Sequence, residues 1–504
     1  MHMDVAIVYS RALSGIESPL VTIEVHLSRG LPSLSIVGLP ETAVKESKDR
    51  VRSALLNNHF DFPLQRIIVN LAPADLPKAG GRYDLPIAIG ILAATGQIPA
   101  NDLGMYEFVG ELALTGELRP VQGCLPMASA TKQAGRHLLL PAMNAPEASL
   151  ITDLAIYPAA NLNDVCAHIA GTTPLQAFRY RHQAMAISYP DMKEVRAQHQ
   201  AKRALEIAAA GGHNLLLIGP PGTGKTMLAE RLPGILPPIN EEQALEIAAL
   251  NSISQHGFKS KSWGVRPFRR PHHTASAIAM VGGGSVPRPG EISLAHHGVL
   301  FLDELPEYDR RVLEVLREPL ESGTISISRA ATQVEFPAQF QLIAAMNPCP
   351  CGYFGAPDDS CQCSPEQIRR YRGRISGPLL DRIDMHIEVP NLTREILHQL
   401  HDDNAESSST VRQRVIVAHE KQICRSGKVN NLLTNTEIQR VCALTKDLKS
   451  LLDDAIYSLH LSTRSLHRIL KLTRTIADLE LSTEITTQHL LEALSYRKLE
   501  RLNQ

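Results

Sequence analysis

Apolar positions along the chain fall into three patterns, and each predicts a different architecture. In the first third, short apolar runs alternate with helical stretches. Leu34-Ser35-Ile36-Val37-Gly38-Leu39 reads as a strand, Glu41 to Asn58 as an amphipathic helix, and Arg66-Ile67-Ile68-Val69-Asn70-Leu71 as a second strand. Leu85 to Thr95 reads as a helix ended by Gly96, and His137-Leu138-Leu139-Leu140-Pro141 as another strand. The middle third carries apolar runs of four or five residues that lead into a glycine-rich turn or polar groups: Leu215-Leu216-Leu217-Ile218, Val299-Leu300-Phe301-Leu302 and Leu342-Ile343-Ala344-Ala345-Met346. Such runs are buried parallel strands with chemistry at their C-terminal ends. A helix from Val195 to Ala210 leads into the first, with Ala204, Leu205, Ile207 and Ala208 on its apolar side. Thr324-Ile325-Ser326-Ile327-Ser328 and Thr332-Gln333-Val334-Glu335-Phe336 alternate as the arms of a hairpin joined around Arg329. From Val411 to Leu502, Leu and Ile recur at spacings of three and four, which is helical throughout.

These regimes divide the chain into an α/β domain over residues 1–170, a linker over 171–191 and a second α/β domain over 192–400. A polar linker over 401–410 and a helical domain over 411–504 complete it. A length of 504 residues is too great for one core and agrees with about three domains. Hydrophobic content of 44% with 20% charged residues is that of a globular protein. The start of the chain lacks a basic segment followed by an apolar one, and no run of about 18 apolar residues occurs, so a cytoplasmic protein without membrane spans is expected. Net charge is −1, so any nucleic-acid binding must come from a local patch.

The first buried run opens the clearest chemistry. Gly219-Pro220-Pro221-Gly222-Thr223-Gly224-Lys225-Thr226 lies between a strand and a helix beginning near Met227, and fits G-x-x-x-x-G-K-[ST] in its required context. The glycines let the backbone curl so that N–H groups face phosphate oxygens. Lys225 brings a full charge to the β- and γ-phosphates, and the Thr226 hydroxyl can ligate Mg²⁺. The run at 299–302 ends in Asp303, suited to Mg²⁺, and Glu304, suited to polarising the attacking water. The third ends in Asn347, whose amide can meet the γ-phosphate or that water. Arg382, between Asp381 and Asp384, can either pair with those acids or reach a neighbouring subunit's γ-phosphate, and Arg374 is its rival.

Two further features concern partners and metals. From Ile247 to Gly290 there is no Asp or Glu, while Lys259, Lys261, Arg266, Arg269, Arg270 and Arg288 fall there with His256, His272 and His273. With Gly282-Gly283-Gly284 as a flexible turn, this insertion and Arg329 make a candidate tracker of a nucleic-acid backbone. Pairing of Arg269 and Arg270 with acids at a subunit interface is the competing reading, and His272 and His273 read as structural. Four of the eight cysteines cluster as Cys349, Cys351, Cys361 and Cys363. Two C-x-C pairs, with Gly352, Gly355 and Pro357 in a loop without a core of its own, suit a structural Zn²⁺, with free thiols as the alternative.

Three resemblances follow from these residues. Asp75-Leu76-Pro77-Lys78-Ala79-Gly80-Gly81, Gly110-Glu111-Leu112-Ala113-Leu114-Thr115-Gly116 and Ala134-Gly135-Arg136 resemble the Lon protease domain. Where that family has its catalytic serine this chain has Arg82, and where it has its lysine stand Leu125, Pro126 and Met127, so the resemblance implies a Lon-like fold without peptidase activity. Lys78 and Arg82 are then expected as solvated charges. The nucleotide motifs resemble the AAA+ superfamily, with Walker A at 219–226, Walker B at 299–304, sensor 1 at Asn347 and an arginine finger at Arg382. Leu461-Ser462-Thr463-Arg464-Ser465-Leu466 resembles its sensor-2 helix in a C-terminal lid, which makes Arg464 the matching arginine and Arg468 and Arg474 surface charges. Arg269-Arg270-Pro271-His272-His273-Thr274, Pro287 to His296 and Ser376-Gly377-Pro378-Leu379-Leu380-Asp381-Arg382 are closer to the magnesium-chelatase branch, and within it to the ComM/YifB group of bacterial competence-related proteins. The resemblance implies a Mg²⁺-dependent ATPase that assembles as a hexameric ring and drives DNA branch migration as a helicase in natural transformation. A chelatase-type motor that remodels a protein partner, and a Lon-type ATP-dependent protease, are the alternatives.

Overall fold

The computed structural model describes residues 5–180, 188–284, 287–328, 333–355, 360–391, 405–459 and 462–497. The N-terminal domain is built on a seven-stranded sheet. Its strands are β1 (Val5–Arg11), β2 (Leu20–Ser28), β3 (Ser33–Val37), β4 (Arg66–Ala72), β5 (Tyr106–Phe108), β8 (His137–Pro141) and β9 (Ile156–Ala159), in the order β3-β4-β2-β1-β5-β8-β9. A two-stranded ribbon, β6 (Glu111–Leu112) with β7 (Leu118–Arg119), stands apart from it. β1, β2 and β4 pair antiparallel, and the remaining neighbours pair parallel. The helix Asp84–Ala94 is buried along its whole length, which is why it reads as continuously apolar rather than as a stripe. The predicted helix over 41–58 is interrupted at Glu46, giving Thr42–Lys45 and Ser47–Asn57, and the Ser47 hydroxyl donates to the buried Asp84.

The second domain is a five-stranded parallel sheet in the order β11-β14-β17-β10-β18. Its strands are β10 (Leu215–Ile218), β11 (Phe268–Arg269), β14 (Val299–Leu302), β17 (Gln341–Met346) and β18 (Met385–Glu388). Strand periodicity divides its side chains between two cores. Leu215, Leu217, Val299, Phe301, Ile343 and Ala345 face one, with the helix His199–Gly211 and the C-terminal helices. Leu216, Ile218, Leu300, Leu302, Leu342 and Ala344 face the other, with the hairpin β15 (Thr324–Ser328) and β16 (Gln333–Pro337). The hairpin buries Ile325, Ile327, Val334 and Phe336, as its alternation predicts; Arg329 lies outside the described residues. The glycine run becomes β12 (Gly282–Gly283), paired antiparallel with β13 (Arg288–Pro289).

The helix expected from Val195 starts only at His199, because Ala197 and Gln198 hold φ of 53° and 52°, outside the helical region. The C-terminal domain consists of the helices Ser408–Ser426, Asn435–Val441, Lys446–Leu459, Thr463–Leu479 and Thr487–Ser495. The first begins inside the predicted linker, where the Ser407 hydroxyl accepts the Thr410 amide as N-cap. Residues 401–404 and 181–187 of the two predicted linkers lie outside the described residues.

Candidate functional site

The strand order sets the site. β10 lies between β17 and β18, and β14 beside β17, so the residues following β10, β14 and β17 converge at one edge, where α/β sheets bind ligands. Gly219 leaves β10 tightly against the chain after β18: a Cβ there would stand 2.2 Å from the Val389 carbonyl oxygen. Gly222 and Gly224 hold φ of 80° and 86°, the left-handed region that lets the loop turn its amides inward. The helix Lys225–Ile235 follows at once and presents its N-terminus to the same space.

Four side chains meet there in two pairs. The Thr226 hydroxyl donates to Asp303 Oδ2 at 2.8 Å, so the two oxygens suited to Mg²⁺ are already adjacent. Lys225 Nζ donates to the carbonyls of Gly219 and Pro220 at 2.7 Å each and to Asn347 Oδ1 at 3.2 Å. Burial lowers the Lys225 pKa, opposed by the charges of Asp303 and Glu304. A buried ammonium resting on loop carbonyls suits an anion such as a triphosphate, which would replace those weak acceptors. Glu304 is half-exposed and holds φ of 53°, a strained position for a non-glycine residue that turns its carboxylate toward solvent. Thr223 closes the loop through its hydroxyl to the Pro220 carbonyl.

Two residues of this site escaped the sequence reading. Arg270 donates to Asp303 Oδ2 at 3.0 Å and Glu230 Oε1 at 3.1 Å and lies 5.4 Å from the Phe301 ring centroid. His273 Nδ1 stands 3.1 Å from Glu304 Oε2, so it belongs to the site rather than to the structural background. Strand β11 runs parallel to β14 and delivers both, and two residues are too short a strand to show a period. The Tyr308 hydroxyl fastens the loop by donating to the Pro271 carbonyl.

The acid-free insertion does not form one basic surface. Arg269 is bidentate with Glu291 at 2.6 Å, an acid just past the acid-free stretch, and Arg270 is engaged as above. Arg266 donates to the carbonyls of Pro237, Pro238 and His297, and burial lowers its pKa to about 10. Their pairing is within the chain. Lys259, Lys261 and Arg288 are exposed.

Arg382 is 6% exposed; it pairs with Glu321 at 2.6 Å and donates to the carbonyls of Arg317 and Pro378. Its partner is neither Asp381 nor Asp384; Asp384 is taken by Arg468. Arg374 is half-exposed and pairs with Glu307 at 2.7 Å. Arg464 is exposed in the first turn of the helix Thr463–Leu479. Arg468 and Arg474 are not surface charges: they bind Asp384 and Asp478 where solvent is largely excluded.

In the N-terminal domain, the Lon-equivalent positions do lie together, Arg82 Nη1 being 4.0 Å from Met127 Sδ, with neither a hydroxyl nor an amine at them. Arg82 and Lys78 are not solvated charges. Burial lowers the pKa of both, and Lys78 is completely buried with its ammonium on the Pro73 carbonyl. Leu125 is buried with Ala248, and the Ser252 carbonyl accepts the Gly123 amide, so the face that would carry the lysine is packed on the nucleotide-binding domain.

All four clustered thiols lie together, their Sγ atoms within 4.8 Å of one another. Cys349 is fully buried, while Cys351, Cys361 and Cys363 are half-buried; Pro357 lies outside the described residues. No helix of the described residues is long and apolar enough to cross a membrane.

Comparison with known proteins finds relatives along the whole chain. A family model described as magnesium chelatase, subunit ChlI, matches residues 191–397. A model for subunit ChlI of Mg-chelatase matches 23–144, and one for the C-terminal part of that subunit matches 405–497. The chain is 53% identical over 500 residues to the protein YifB of Salmonella typhimurium, covering 99% of this chain and 98% of that one. It is 52% identical over 507 residues to the competence protein ComM of Haemophilus influenzae, covering 100% and 99%. More distantly, it is 22% identical over 310 residues to the DNA replication licensing factor mcm6 of Dictyostelium discoideum, 57% of this chain and 31% of that one. The chain therefore belongs to the ComM/YifB family of magnesium-chelatase-like AAA+ proteins.

Proposed function

We propose that this chain is the protomer of an ATP-driven ring motor, hexameric as the family resemblance implies, that moves on DNA as a helicase and branch-migration enzyme in natural transformation and homologous recombination. The observation that carries the ATPase part is the contact of Thr226 with Asp303 beside that of Lys225 with Asn347, three motifs distant in sequence meeting at one sheet edge. Bound Mg·ATP supplies the phosphoryl group for transfer to water; the chain's residues do the rest. The loop amides and Lys225 hold the phosphates, Thr226 and Asp303 hold Mg²⁺, Glu304 takes a proton from the attacking water, and Asn347 orients it.

Arg382 is the finger that acts across a subunit boundary, and Arg464 the sensor-2 residue. In the single chain Glu321 holds Arg382, so ring assembly has to exchange that carboxylate for a neighbour's phosphate. A repeated head-to-tail contact of this kind closes into a ring. Mixing Lys225→Ala with Arg382→Ala chains then restores hydrolysis that neither has alone; no rescue at any ratio excludes action of Arg382 across subunits and leaves Arg374 as the rival.

The DNA part rests on the likeness to the competence protein ComM and to a DNA replication licensing factor, with Lys259, Lys261 and Arg288 as exposed cations. ATP-dependent strand separation of a forked DNA, absent in Glu304→Gln, tests it. A second reading, a chelatase-type motor acting on a protein, draws support from the engagement of Arg266, Arg269 and Arg270 inside the chain. Active hydrolysis with no strand separation favours that reading.

A further inference from the structure

The loop after β17 carries Asn347 and, two residues on, the first of the four clustered cysteines. Cys349 Sγ lies 3.2 Å from Cys351 Sγ and 3.8 Å from Cys361 Sγ, and Cys351 and Cys361 are 3.6 Å apart. These spacings are too long for a disulfide, whose sulfurs stand about 2.05 Å apart. They approach the edge of a tetrahedron of sulfurs around zinc, about 3.8 Å for Zn–S bonds of about 2.3 Å. The donors are all sulfur, which selects zinc over the hard cations Mg²⁺ and Ca²⁺. Backbone amides are aimed at them: Phe354 N–H donates to Cys349 Sγ at 3.3 Å, and Tyr353 N–H to Cys351. Such amides favour thiolate over thiol and hold ligand sulfurs in place.

The other cluster of metal-binding side chains among the described residues, Glu246 with His296 and His297, lacks this character. His296 Nδ1 accepts the Gln339 amide, so in the neutral ring Nε2 carries the proton and donates it to Glu246. That nitrogen has no lone pair for a metal.

We infer that Cys349, Cys351, Cys361 and Cys363 hold one zinc ion, and that the zinc-bound loop braces Asn347 and the Walker A turn against each other. The brace is visible in the packing. Gly352, with φ of 88°, lies so close to the P-loop that a Cβ on it would stand 2.7 Å from Pro221 Cδ. Arg372 Nε donates to the Pro348 carbonyl at 3.1 Å while its guanidinium covers the Phe354 ring at 5.2 Å. Cys363 immediately precedes Ser364, the N-cap of the helix Pro365–Arg372 that carries Arg372, so the second cysteine pair ties that helix to the loop. The cysteines are positioning residues that act through Asn347 and Pro221. This inference rests on the ATP-site reading for its consequence but not for the metal.

The test uses the full-length protein purified under reducing conditions without chelator. Elemental analysis returns one zinc per chain, and cobalt(II) exchanged for it shows the visible absorption of a tetrahedral thiolate complex. The double variant Cys361→Ser with Cys363→Ser loses the metal. Its kcat for ATP hydrolysis falls about tenfold or more, while its nucleotide affinity changes much less. Gly352→Ala, which keeps every thiol, retains zinc and shows the same fall in kcat, so the outcome does not depend on whether the double variant folds. Metal-free wild-type protein overturns the zinc site. Zinc present with wild-type kcat in Gly352→Ala overturns the brace. Zinc present in a wild-type protein that binds no nucleotide overturns the brace together with the ATP reading, and leaves the metal site standing.

Discussion

Individual side chains at the nucleotide edge are shared between neighbours, and that sharing makes them testable. Glu304 is exposed enough to meet water and strained enough to be held there, so Glu304→Gln is expected to bind ATP as the parent does and to lose turnover by about 10²-fold or more. Wild-type turnover in a single-turnover assay shows that another group is the base. Arg270 occupies the same Asp303 oxygen as the Thr226 hydroxyl, which places a fixed cation beside the proposed Mg²⁺ ligands. Removing it in Arg270→Ala is expected to lower the Mg²⁺ concentration for half-maximal hydrolysis several-fold, read from a Mg²⁺ titration; an unchanged midpoint means Arg270 does not compete. The Walker residues were legible in the sequence because chain neighbours carry the chemistry. Arg270 and His273 were not, because their roles depend on which strand lies beside β14. The partners of Arg382 and Arg266 were hidden for a related reason: charge is visible in a sequence, but the carbonyls and carboxylates that engage it are not.

Among the strands and helices, legibility followed burial pattern. β10, β14 and β8 fall at the residues their apolar runs mark, because strands covered on both faces are apolar throughout. The boundaries that moved did so for local backbone reasons, the left-handed pair Ala197–Gln198 and the Ser407 cap. β1 and β5 are joined by a contact no pattern announces. Arg11 on β1 binds Glu107 on β5 through two hydrogen bonds of 2.7 Å, and Thr131 also donates to that fully buried carboxylate. Taking away one member of such a pair leaves an uncompensated buried charge. Glu107→Ala is therefore expected to destabilise the N-terminal domain by about 3–5 kcal/mol, measured by denaturant unfolding. A loss below about 1 kcal/mol contradicts the stranding of a buried charge on Arg11.

Taken together, the three units share interfaces rather than hanging on linkers. The C-terminal helices share a core with one face of the parallel sheet, and the N-terminal domain packs its Lon-equivalent face on the nucleotide-binding domain. That central core also carries buried histidines. Burial lowers the pKa of His213 to about 4, with Asp384 opposing and Lys471 and Arg468 adding to the shift; His296 is likewise lowered to about 4 and His386 to about 3. Groups whose folded pKa lies below the unfolded value near 6.5 take up protons preferentially in the unfolded chain. Their contribution is intact above about pH 6.5 and is lost as pH falls toward 4, by at most about 1.4 kcal/mol per pH unit for each group. The melting temperature is expected to fall steadily from pH 7 to pH 5; a flat profile contradicts burial of these rings as neutral groups. The motor reading itself is decided by ATP hydrolysis on purified full-length protein with single-stranded or forked DNA at stepped salt concentrations. The rate is expected to rise with DNA and the stimulation to fade as salt displaces backbone contacts. Brisk hydrolysis that ignores DNA at every salt concentration contradicts it.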